Sequence, residues 1–249
     1  MTWTGLRDLI ADRGLRVSEA GPTAGAGVVT GIAHDSRQVE PGQVFVALKG
    51  LHADGTAFAR AAIERGALAV MAEGSAPADV HVPWMVVSDA RLALALGAAK
   101  YYGDPSAEMQ VVGITGTNGK TTVSYLVASI FEAARIRCGV LGTVGYRIGD
   151  RVREATHTTP EAPEVQRLLR EMADARCGAC AMEVSSHALS QRRVDGTTFA
   201  AAVFTNLTRD HLDFHADMES YFQAKSRLFE MLPAHAPALI NLDDPRGAA

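Results

Sequence analysis

The sequence predicts an α/β fold: a small N-terminal α/β domain, followed by a P-loop-type central domain with a mostly parallel sheet covered by helices. Three observations support this. The 249-residue chain is long enough for two modest domains. Its second half alternates apolar runs with amphipathic segments, as in sheets that are buried on both faces. A glycine-rich stretch also lies between an apolar run and a helix-like segment.

The N-terminal domain is predicted over residues 1–88. MTWTGLRDLIADRG reads as an amphipathic helix rather than a signal peptide, because charged residues interrupt its apolar periodicity. Alternating strands, turns and one helix follow, and residues 89–108 are predicted as a linker helix that ends at GDPS. The predicted strands are 28–33, 44–48, 67–73 and 82–89, and the predicted helices are 58–66 and 90–102.

The central domain is predicted over residues 109–249, where strands and helices alternate regularly. The strands read as near-continuous apolar runs, which is typical of a parallel sheet. Ligands of such sheets bind at the carboxyl ends of the strands, and the polar motifs of this half lie there. The predicted strands are 109–115, 137–143, 178–184, 199–207 and 238–241, and the predicted helices are 122–135, 160–175 and 217–232.

Composition excludes several classes of protein. The net charge of −4 argues against a general nucleic-acid binder, which needs a basic surface. The longest uncharged stretch is well short of a membrane span, so no membrane partner is expected. The three cysteines are too few and too unevenly spaced for a disulfide framework, which favours a cytoplasmic protein.

The stretch VVGITGTNGKTT, residues 111–122, has the shape of a phosphate-binding loop. Its glycines allow the backbone N–H groups to turn toward an anion, and the following helix adds partial positive charge. Lys120 can reach terminal phosphates, and the Thr121 hydroxyl can reach Mg²⁺. The usual spacing G-x-x-x-x-G-K-[ST] does not fit, because Ile114 occupies the first glycine position.

Two acidic or histidine-containing motifs follow later strands. Glu183 ends a buried strand, where a carboxylate beside a phosphate loop is either a Mg²⁺ ligand or a capping or salt-bridged group. The stretch DHLDFH, which contains His211, is either a metal site or a solvated loop, and zinc is a minor option because no third ligand is evident. The Cys177-Gly-Ala-Cys180 pair reads as structural. Composition alone favours a surface lysine at 225.

The stretch GITGTNGKTT, residues 113–122, resembles the ATP loop of the Mur ligases and folylpolyglutamate synthetases, which are ATP-dependent amide-forming enzymes. Further stretches resemble the MurE type of Mur ligase in the same order along the chain. HTTPE and MEVSSHAL favour this type over the MurF type, which adds D-Ala-D-Ala. The stretches are residues 35–58, 113–122, 157–161, 182–194 and 205–229.

The resemblance implies roles for individual residues. It makes Lys120, Glu183, His211 and Lys225 catalytic, with Lys225 carbamylated by CO₂ and helping to hold Mg²⁺ together with Thr121, Glu183 and His211. It assigns ATP to the loop residues Thr115, Gly116, Thr117, Asn118, Gly119, Lys120, Thr121 and Thr122. It assigns the UDP-sugar substrate to His34, Ser36, Leu51, His52, Ala53, His157, Thr158, Thr159, Ser185, Gln191 and Arg193.

The implied reaction is the ATP-dependent addition of a diamino acid, meso-diaminopimelate or L-lysine, to UDP-MurNAc-L-Ala-D-Glu through an acyl phosphate. Lys120 and Mg²⁺ neutralise the two anions that must meet. Members of this family are expected to be monomers and to continue into a third domain that holds the acceptor. We therefore expect this chain to lack that domain and to be inactive alone.

Three other hypotheses stay open at this point. The chain is a UDP-sugar and ATP-binding module without turnover, a MurF-type ligase that prefers UDP-MurNAc-tripeptide, or a general P-loop NTPase. Formation of the tripeptide product would distinguish a ligase from a binding module. A preference for the dipeptide or the tripeptide substrate would distinguish the MurE type from the MurF type. Hydrolysis of ATP without any UDP-sugar would indicate the third.

Overall fold

The computed structural model describes residues 1–22, 27–50, 54–210 and 214–248. Contacts divide the chain into two compact units, Met1–Tyr101 and Tyr102–Ala249. Each unit is built on its own sheet. Within the described ranges, no helix combines the length and the apolar character that crossing a membrane requires.

The first unit carries a five-stranded sheet in the order β1-β5-β4-β3-β2. Strands β2 to β5 are parallel, and β1 runs antiparallel to β5 at one edge. The helices are α1 (Trp3–Asp12), α2 (Ala59–Glu64) and α3 (Ala90–Tyr101). The strands are β1 (Arg16–Ala20), β2 (Gly31–Ala33), β3 (Gln43–Ala47), β4 (Ala69–Ala72) and β5 (Trp84–Val87).

Helix α1 shows how local sequence builds this unit. The Thr2 hydroxyl caps it by accepting a hydrogen bond from the backbone N–H of Gly5 at 3.1 Å. Trp3, Leu6 and Ile10 then fall on one face and are buried. Helix α3, which the sequence analysis assigned to a linker, packs against α1 and the sheet of this unit.

The second unit carries a seven-stranded sheet in the order β12-β11-β6-β10-β7-β8-β9. Five strands are parallel, and the hairpin of β8 and β9 extends the sheet antiparallel to β7. The helices are α4 (Lys120–Ala133), α5 (Ala162–Asp174), α6 (Ser186–Ser190) and α7 (Met218–Glu230). The strands are β6 (Gln110–Thr115), β7 (Cys138–Gly142), β8 (Gly145–Ile148), β9 (Arg151–Arg153), β10 (Ala179–Glu183), β11 (Ala201–Phe204) and β12 (Ala238–Ile240).

The predicted fold class, mixed α/β with mostly parallel sheets, is confirmed. Four elements were not predicted: β1, β8, β9 and α6. Strands β1 and β9 contain charged residues and are largely exposed, so they carry no apolar run. Helix α6 has only five residues, too short for a helical period to be recognised.

Strand register explains why the polar motifs meet. Ile114 pairs with Glu183, Thr115 pairs with Phe204, and Leu141 pairs with Met182. The carboxyl ends of β11, β6, β10 and β7 therefore lie side by side, and the residues that follow them share one edge of the sheet.

We expect Leu228→Ala to destabilise the second unit by roughly 2–5 kcal/mol, because it removes buried methyl groups that face β6 and leaves a cavity. Leu228 is fully buried, and a Cβ added at Gly113 would lie 2.9 Å from its Cδ1. The measurement is urea unfolding followed by circular dichroism.

Leu126→Ala is the matched control, since Leu126 is 57% exposed on α4. It should change the free energy of unfolding by no more than about 0.5 kcal/mol. Equal losses for the two variants would contradict the packing described for α7.

Candidate functional site

The loop between β6 and α4 depends on two glycines. Gly116 has φ 146°, and a Cβ there would overlap the Thr205 hydroxyl. Gly119 has φ 84° in the left-handed region, with open space around it, so its backbone conformation alone favours glycine. Two glycines of the predicted phosphate loop are therefore required by the backbone. Gly116 allows the close approach of Thr205, and Gly119 adopts a left-handed conformation.

Two residues that follow β11, Thr205 and Asn206, hold this loop in place by hydrogen bonds. Asn206 accepts the N–H of Thr117 on its carbonyl oxygen at 2.8 Å and the N–H of Asn118 on its side-chain Oδ1 at 3.0 Å. The Thr205 hydroxyl donates to the carbonyl of Asn118 at 2.7 Å. Thr205 and Asn206 were not predicted as site residues, although they lie at the carboxyl end of the predicted strand 199–207 and directly follow β11.

Lys120 starts α4 and folds over the loop. Its Nζ donates to the carbonyl oxygens of Gly116 at 2.9 Å and Thr117 at 2.8 Å. Burial lowers its pKa, while Glu183 and Asp210 act in the opposite direction. The cation therefore lies where the loop and the first turn of α4 would meet an anion.

Lys225 is buried rather than on the surface, with 2% of its area exposed. Its Nζ donates to the carbonyl oxygen of Gly116 at 2.9 Å and lies 4.4 Å from the centre of the Tyr221 ring. Burial, and secondarily the charge of Lys120, lowers the pKa of Lys225 to about 7. Two lysine ammonium groups thus converge on one carbonyl oxygen of the phosphate loop.

Tyr221 connects Lys225 to the rest of the site and was missed by the sequence analysis. Its hydroxyl hydrogen-bonds to the Thr117 hydroxyl at 3.1 Å, and its ring centre lies 5.0 Å from that of His215. His215 Nε2 is 2.9 Å from the Ser186 hydroxyl. The sequence spacing could have pointed to Tyr221, because this residue lies one helical turn before Lys225 on the same face of α7.

Glu183 ends β10 and is 1% exposed. One carboxylate oxygen accepts the Thr143 N–H at 3.0 Å, and the other accepts the Thr143 hydroxyl at 3.1 Å. A Cβ at Gly142 would overlap the carboxylate, so this strand end is shaped to receive it. A buried carboxylate held by donors, close in the sheet to a phosphate loop, suits a hard cation.

A second cluster lies along the segment that follows β9. The Thr159 hydroxyl donates to the carbonyl of Glu183 at 2.8 Å and accepts the N–H of Ser185 at 3.1 Å. Arg193 donates to the carbonyl of Thr159 at 2.9 Å and to the side chain of Gln191 at 3.0 Å. The structure therefore joins four of the residues assigned by resemblance to the sugar-peptide substrate.

Two neighbouring residues of that group are held differently. The Thr158 hydroxyl lies 3.0 Å from the Thr143 hydroxyl. His157 contributes its backbone, whose carbonyl accepts from the Tyr146 hydroxyl at 2.7 Å. Thr115, assigned to ATP, has a buried hydroxyl that forms no hydrogen bond within the described chain.

The remaining residues that were assigned by resemblance lie in the first unit, in the first turn of α4, or outside the described residues. Ser36 is buried at the start of a 3₁₀ turn in the first unit, and Asp35 caps that turn. The side-chain hydrogen bond from Arg37 lowers the pKa of Asp35 to about 2. His34 is half-buried, and Thr121 and Thr122 lie in the first turn of α4. Leu51, His52, Ala53 and His211 lie outside the described residues.

The oxygen donors among the described residues fit a magnesium ion. Mg²⁺ is usually held by one or two carboxylates with phosphate oxygens and water, and Glu183 and the Thr121 hydroxyl are oxygen donors of that kind.

Sequence profiles match both halves of the chain. The Mur ligase middle domain matches residues 114–249, and the catalytic domain of the Mur ligase family matches residues 28–102. The chain belongs to the Mur ligase family. The phosphate-loop variant and the buried lysine are therefore features of a Mur ligase middle domain.

Two curated relatives illustrate the similarity. The chain is 50% identical over 242 residues to UDP-N-acetylmuramoyl-L-alanyl-D-glutamate–2,6-diaminopimelate ligase of Geobacter metallireducens, covering 95% of this chain and 47% of that protein. It is 48% identical over 232 residues to UDP-N-acetylmuramyl-tripeptide synthetase of a Roseiflexus species, covering 87% and 46%. The chain spans about half the length of the curated relatives it matches.

Solved structures agree with this assignment of family. A structure of a UDP-N-acetylmuramoyl-L-alanyl-D-glutamate–2,6-diaminopimelate ligase matches with a TM-score of 0.75 and 36% identity, covering 88% of this chain and 44% of that one. MurF from Acinetobacter baumannii matches with a TM-score of 0.65 and 23% identity, covering 100% and 50%. The second match supports the fold alone.

We expect Lys225→Met to raise the stability of the second unit in CO₂-free buffer near pH 7. The lowered pKa of Lys225 means that the folded state binds fewer protons than the unfolded state between about pH 7 and the ordinary lysine value of 10.5. Wild-type stability should therefore rise with pH across that window, and the advantage of the variant should shrink.

The measurement is urea unfolding of both proteins at pH 7, 8.5 and 10, compared as a difference so that other titrating groups cancel. A stability difference that does not change with pH would mean that Lys225 titrates normally in the fold.

Proposed function

We propose that this chain binds MgATP and UDP-MurNAc-L-Ala-D-Glu as part of an ATP-dependent ligase. The ligase would add a diamino acid, meso-diaminopimelate or L-lysine, through an acyl phosphate. The observation that carries the proposal is the convergence of Lys120 and Lys225 on the Gly116 carbonyl of the phosphate loop. Similarity to relatives named for this reaction supports the choice of substrate.

ATP binding follows from the loop and its cations. Gly116 and Gly119 shape the backbone, and the start of α4 adds partial positive charge. In the proposed reaction, a substrate carboxylate attacks the γ-phosphate of ATP, so two anions approach each other. Lys120 would exchange its bonds with the loop carbonyls for phosphate oxygens and offset that repulsion.

Magnesium would be held by Glu183, Thr121, His211 and the carbamate of Lys225. When bound, Mg²⁺ supplies positive charge that neutralises the phosphates. Glu183 supports this role because its carboxylate is buried and already oriented by Thr143. The phosphate oxygens of ATP would complete the coordination.

Carbamylation of Lys225 has a physical basis in the burial of this residue. A carbamate forms when a neutral amine attacks CO₂, and an ordinary lysine is only about one part in three thousand neutral at pH 7. The pKa of about 7 makes Lys225 roughly half neutral there. The carbamate is an anion, so the repulsion from Lys120 would become attraction.

The residues assigned to the UDP-sugar substrate fall into two sets, which we propose contact different parts of it. His34 and Ser36, with Leu51, His52 and Ala53, would hold the UDP group in the first unit. In the second unit, His157, Thr158, Thr159, Ser185, Gln191 and Arg193 would contact the muramoyl dipeptide. Arg193 suits an anionic substrate because a guanidinium binds carboxylate or phosphate with two hydrogen bonds.

We also propose that the protein works in the cytoplasm as a monomer, without nucleic-acid or membrane partners. Cys138, Cys177 and Cys180 are free buried thiols, which suits a reducing compartment. Burial raises the pKa of the Cys138 thiol to about 11, so the thiolate is scarce.

We expect calorimetric titration to show that the chain binds UDP-MurNAc-L-Ala-D-Glu at least about tenfold more tightly than UDP-MurNAc-tripeptide. In a site that leaves room for the incoming amino acid, the third residue of the tripeptide would make no favourable contact and would add steric bulk. Preference for the tripeptide would move the assignment to a ligase of the MurF type. A parallel titration with ATP and Mg²⁺ tests the nucleotide half of the proposal.

We expect ¹³C NMR in ¹³C-bicarbonate to detect a carbamate that depends on Lys225 and grows as pH rises through 7. Lys225→Ala should remove the signal and weaken Mg²⁺-dependent ATP binding more than UDP-sugar binding. Lys100→Met, an exposed lysine of α3, is the control and should keep both. A spectrum unchanged by Lys225→Ala, or equal losses for the two ligands, would count against the carbamate.

A further inference from the structure

One residue, Thr143, donates a hydrogen bond to each of the two oxygens of the Glu183 carboxylate. Its backbone N–H donates to Oε1 at 3.0 Å, and its hydroxyl donates to Oε2 at 3.1 Å. Thr143 follows β7 directly, and Glu183 is the last residue of β10. The parallel pairing of Leu141 with Met182 brings them together without any long loop.

This arrangement restricts the carboxylate in direction as well as position. A buried charge needs hydrogen-bond partners, and an ionised carboxylate has about four lone-pair sites on its two oxygens. Thr143 uses one site on each oxygen and leaves the others open. Gly142 allows the approach, because a side chain there would overlap the carboxylate. The turn after β7 therefore acts as a two-point clamp.

The same hydroxyl also lies 3.0 Å from the Thr158 hydroxyl. A threonine hydroxyl has a single proton, and Thr143 donates its proton to Glu183, which only accepts. Thr158 must therefore be the donor in the contact between the two threonines. Its own proton is then committed, and the Thr158 oxygen presents only lone pairs to a ligand.

We propose that Thr143 is a positioning residue that aims Glu183 at Mg²⁺ and fixes the Thr158 hydroxyl as a hydrogen-bond acceptor. The inference rests on the proposed function, in which Glu183 holds the metal and Thr158 contacts the substrate. It adds that Thr158 recognises a hydrogen-bond donor of the muramoyl dipeptide, an N–H or O–H group, rather than a carboxylate. The Thr143 hydroxyl would thus orient both Glu183 in the proposed metal site and Thr158 in the proposed peptide site.

The first test compares wild type with Thr143→Val and Thr143→Ser. Valine keeps the shape and the backbone N–H but loses the hydroxyl, and serine restores the hydroxyl. Calorimetric titration with ATP at a series of Mg²⁺ concentrations gives the Mg²⁺ requirement. We expect Thr143→Val to raise the Mg²⁺ concentration for half-maximal binding roughly tenfold, since partners that orient metal ligands typically contribute 10- to 100-fold in metal affinity. Thr143→Ser should stay within about twofold of wild type.

Controls separate positioning from general damage to the fold. Nucleotide affinity without Mg²⁺ should be unchanged in Thr143→Val, because the clamp acts on Glu183 and not on the phosphate loop. Val144→Ala alters the next residue of the same turn, which is 69% exposed, and should leave the Mg²⁺ requirement unchanged. Thr143→Ala, which introduces no new atom, replaces Thr143→Val if the valine variant unfolds.

The outcomes are distinguishable. A Mg²⁺ requirement of Thr143→Val equal to that of wild type, or an equal loss of affinity with and without Mg²⁺, would overturn the positioning role. Failure of wild type itself to bind nucleotide in a Mg²⁺-dependent way would overturn the proposed function and, with it, this inference. Thr158→Val should weaken UDP-MurNAc-L-Ala-D-Glu binding without changing the Mg²⁺ requirement, and an unchanged dipeptide affinity would overturn the acceptor role.

Discussion

The hydrogen bond from Lys225 to the carbonyl of Gly116 is the interaction on which the site depends. It joins α7 to the phosphate loop across 109 residues of sequence and is buried. It also brings a second cation next to Lys120, which uses the same carbonyl. Burying two ammonium groups together is unfavourable unless an anion compensates them. In the proposed function, the phosphates of ATP and the carbamate of Lys225 would supply that anion.

The lysine reaches this position because other groups around it are ordered. Tyr221 lies beneath Lys225 and hydrogen-bonds to Thr117 on the loop. His215 packs against Tyr221 and hydrogen-bonds to Ser186 at the start of α6. The lysine therefore belongs to a packed polar network, in which the hydrogen-bonded groups fix one another's positions.

The carboxylate of Glu183 is buried and held by hydrogen bonds, as the ammonium group of Lys225 is. Glu183 is as buried as Lys225, and its carboxylate accepts two hydrogen bonds from Thr143. The position of Glu183 follows from register, because β10, which it ends, pairs with β6, which leads into the phosphate loop. A slip of one residue would turn Glu183 to the other face of the sheet and remove it from the proposed metal site.

The α/β class, most of the strands and helices, and the position of the predicted phosphate loop can be read from the amino-acid sequence. Apolar runs and glycine spacing are local signals, which the sequence displays directly. The burial of Lys225, the contacts of Tyr221 and the clamp of Thr143 on Glu183 become visible only in the folded chain. Each depends on residues far apart in the chain that meet through strand register, and a lysine on an amphipathic helix looks the same in sequence whether it faces solvent or a loop. Resemblance to known ligases pointed to Lys225, but only the fold supplied the physical reason, which is desolvation beside a second cation.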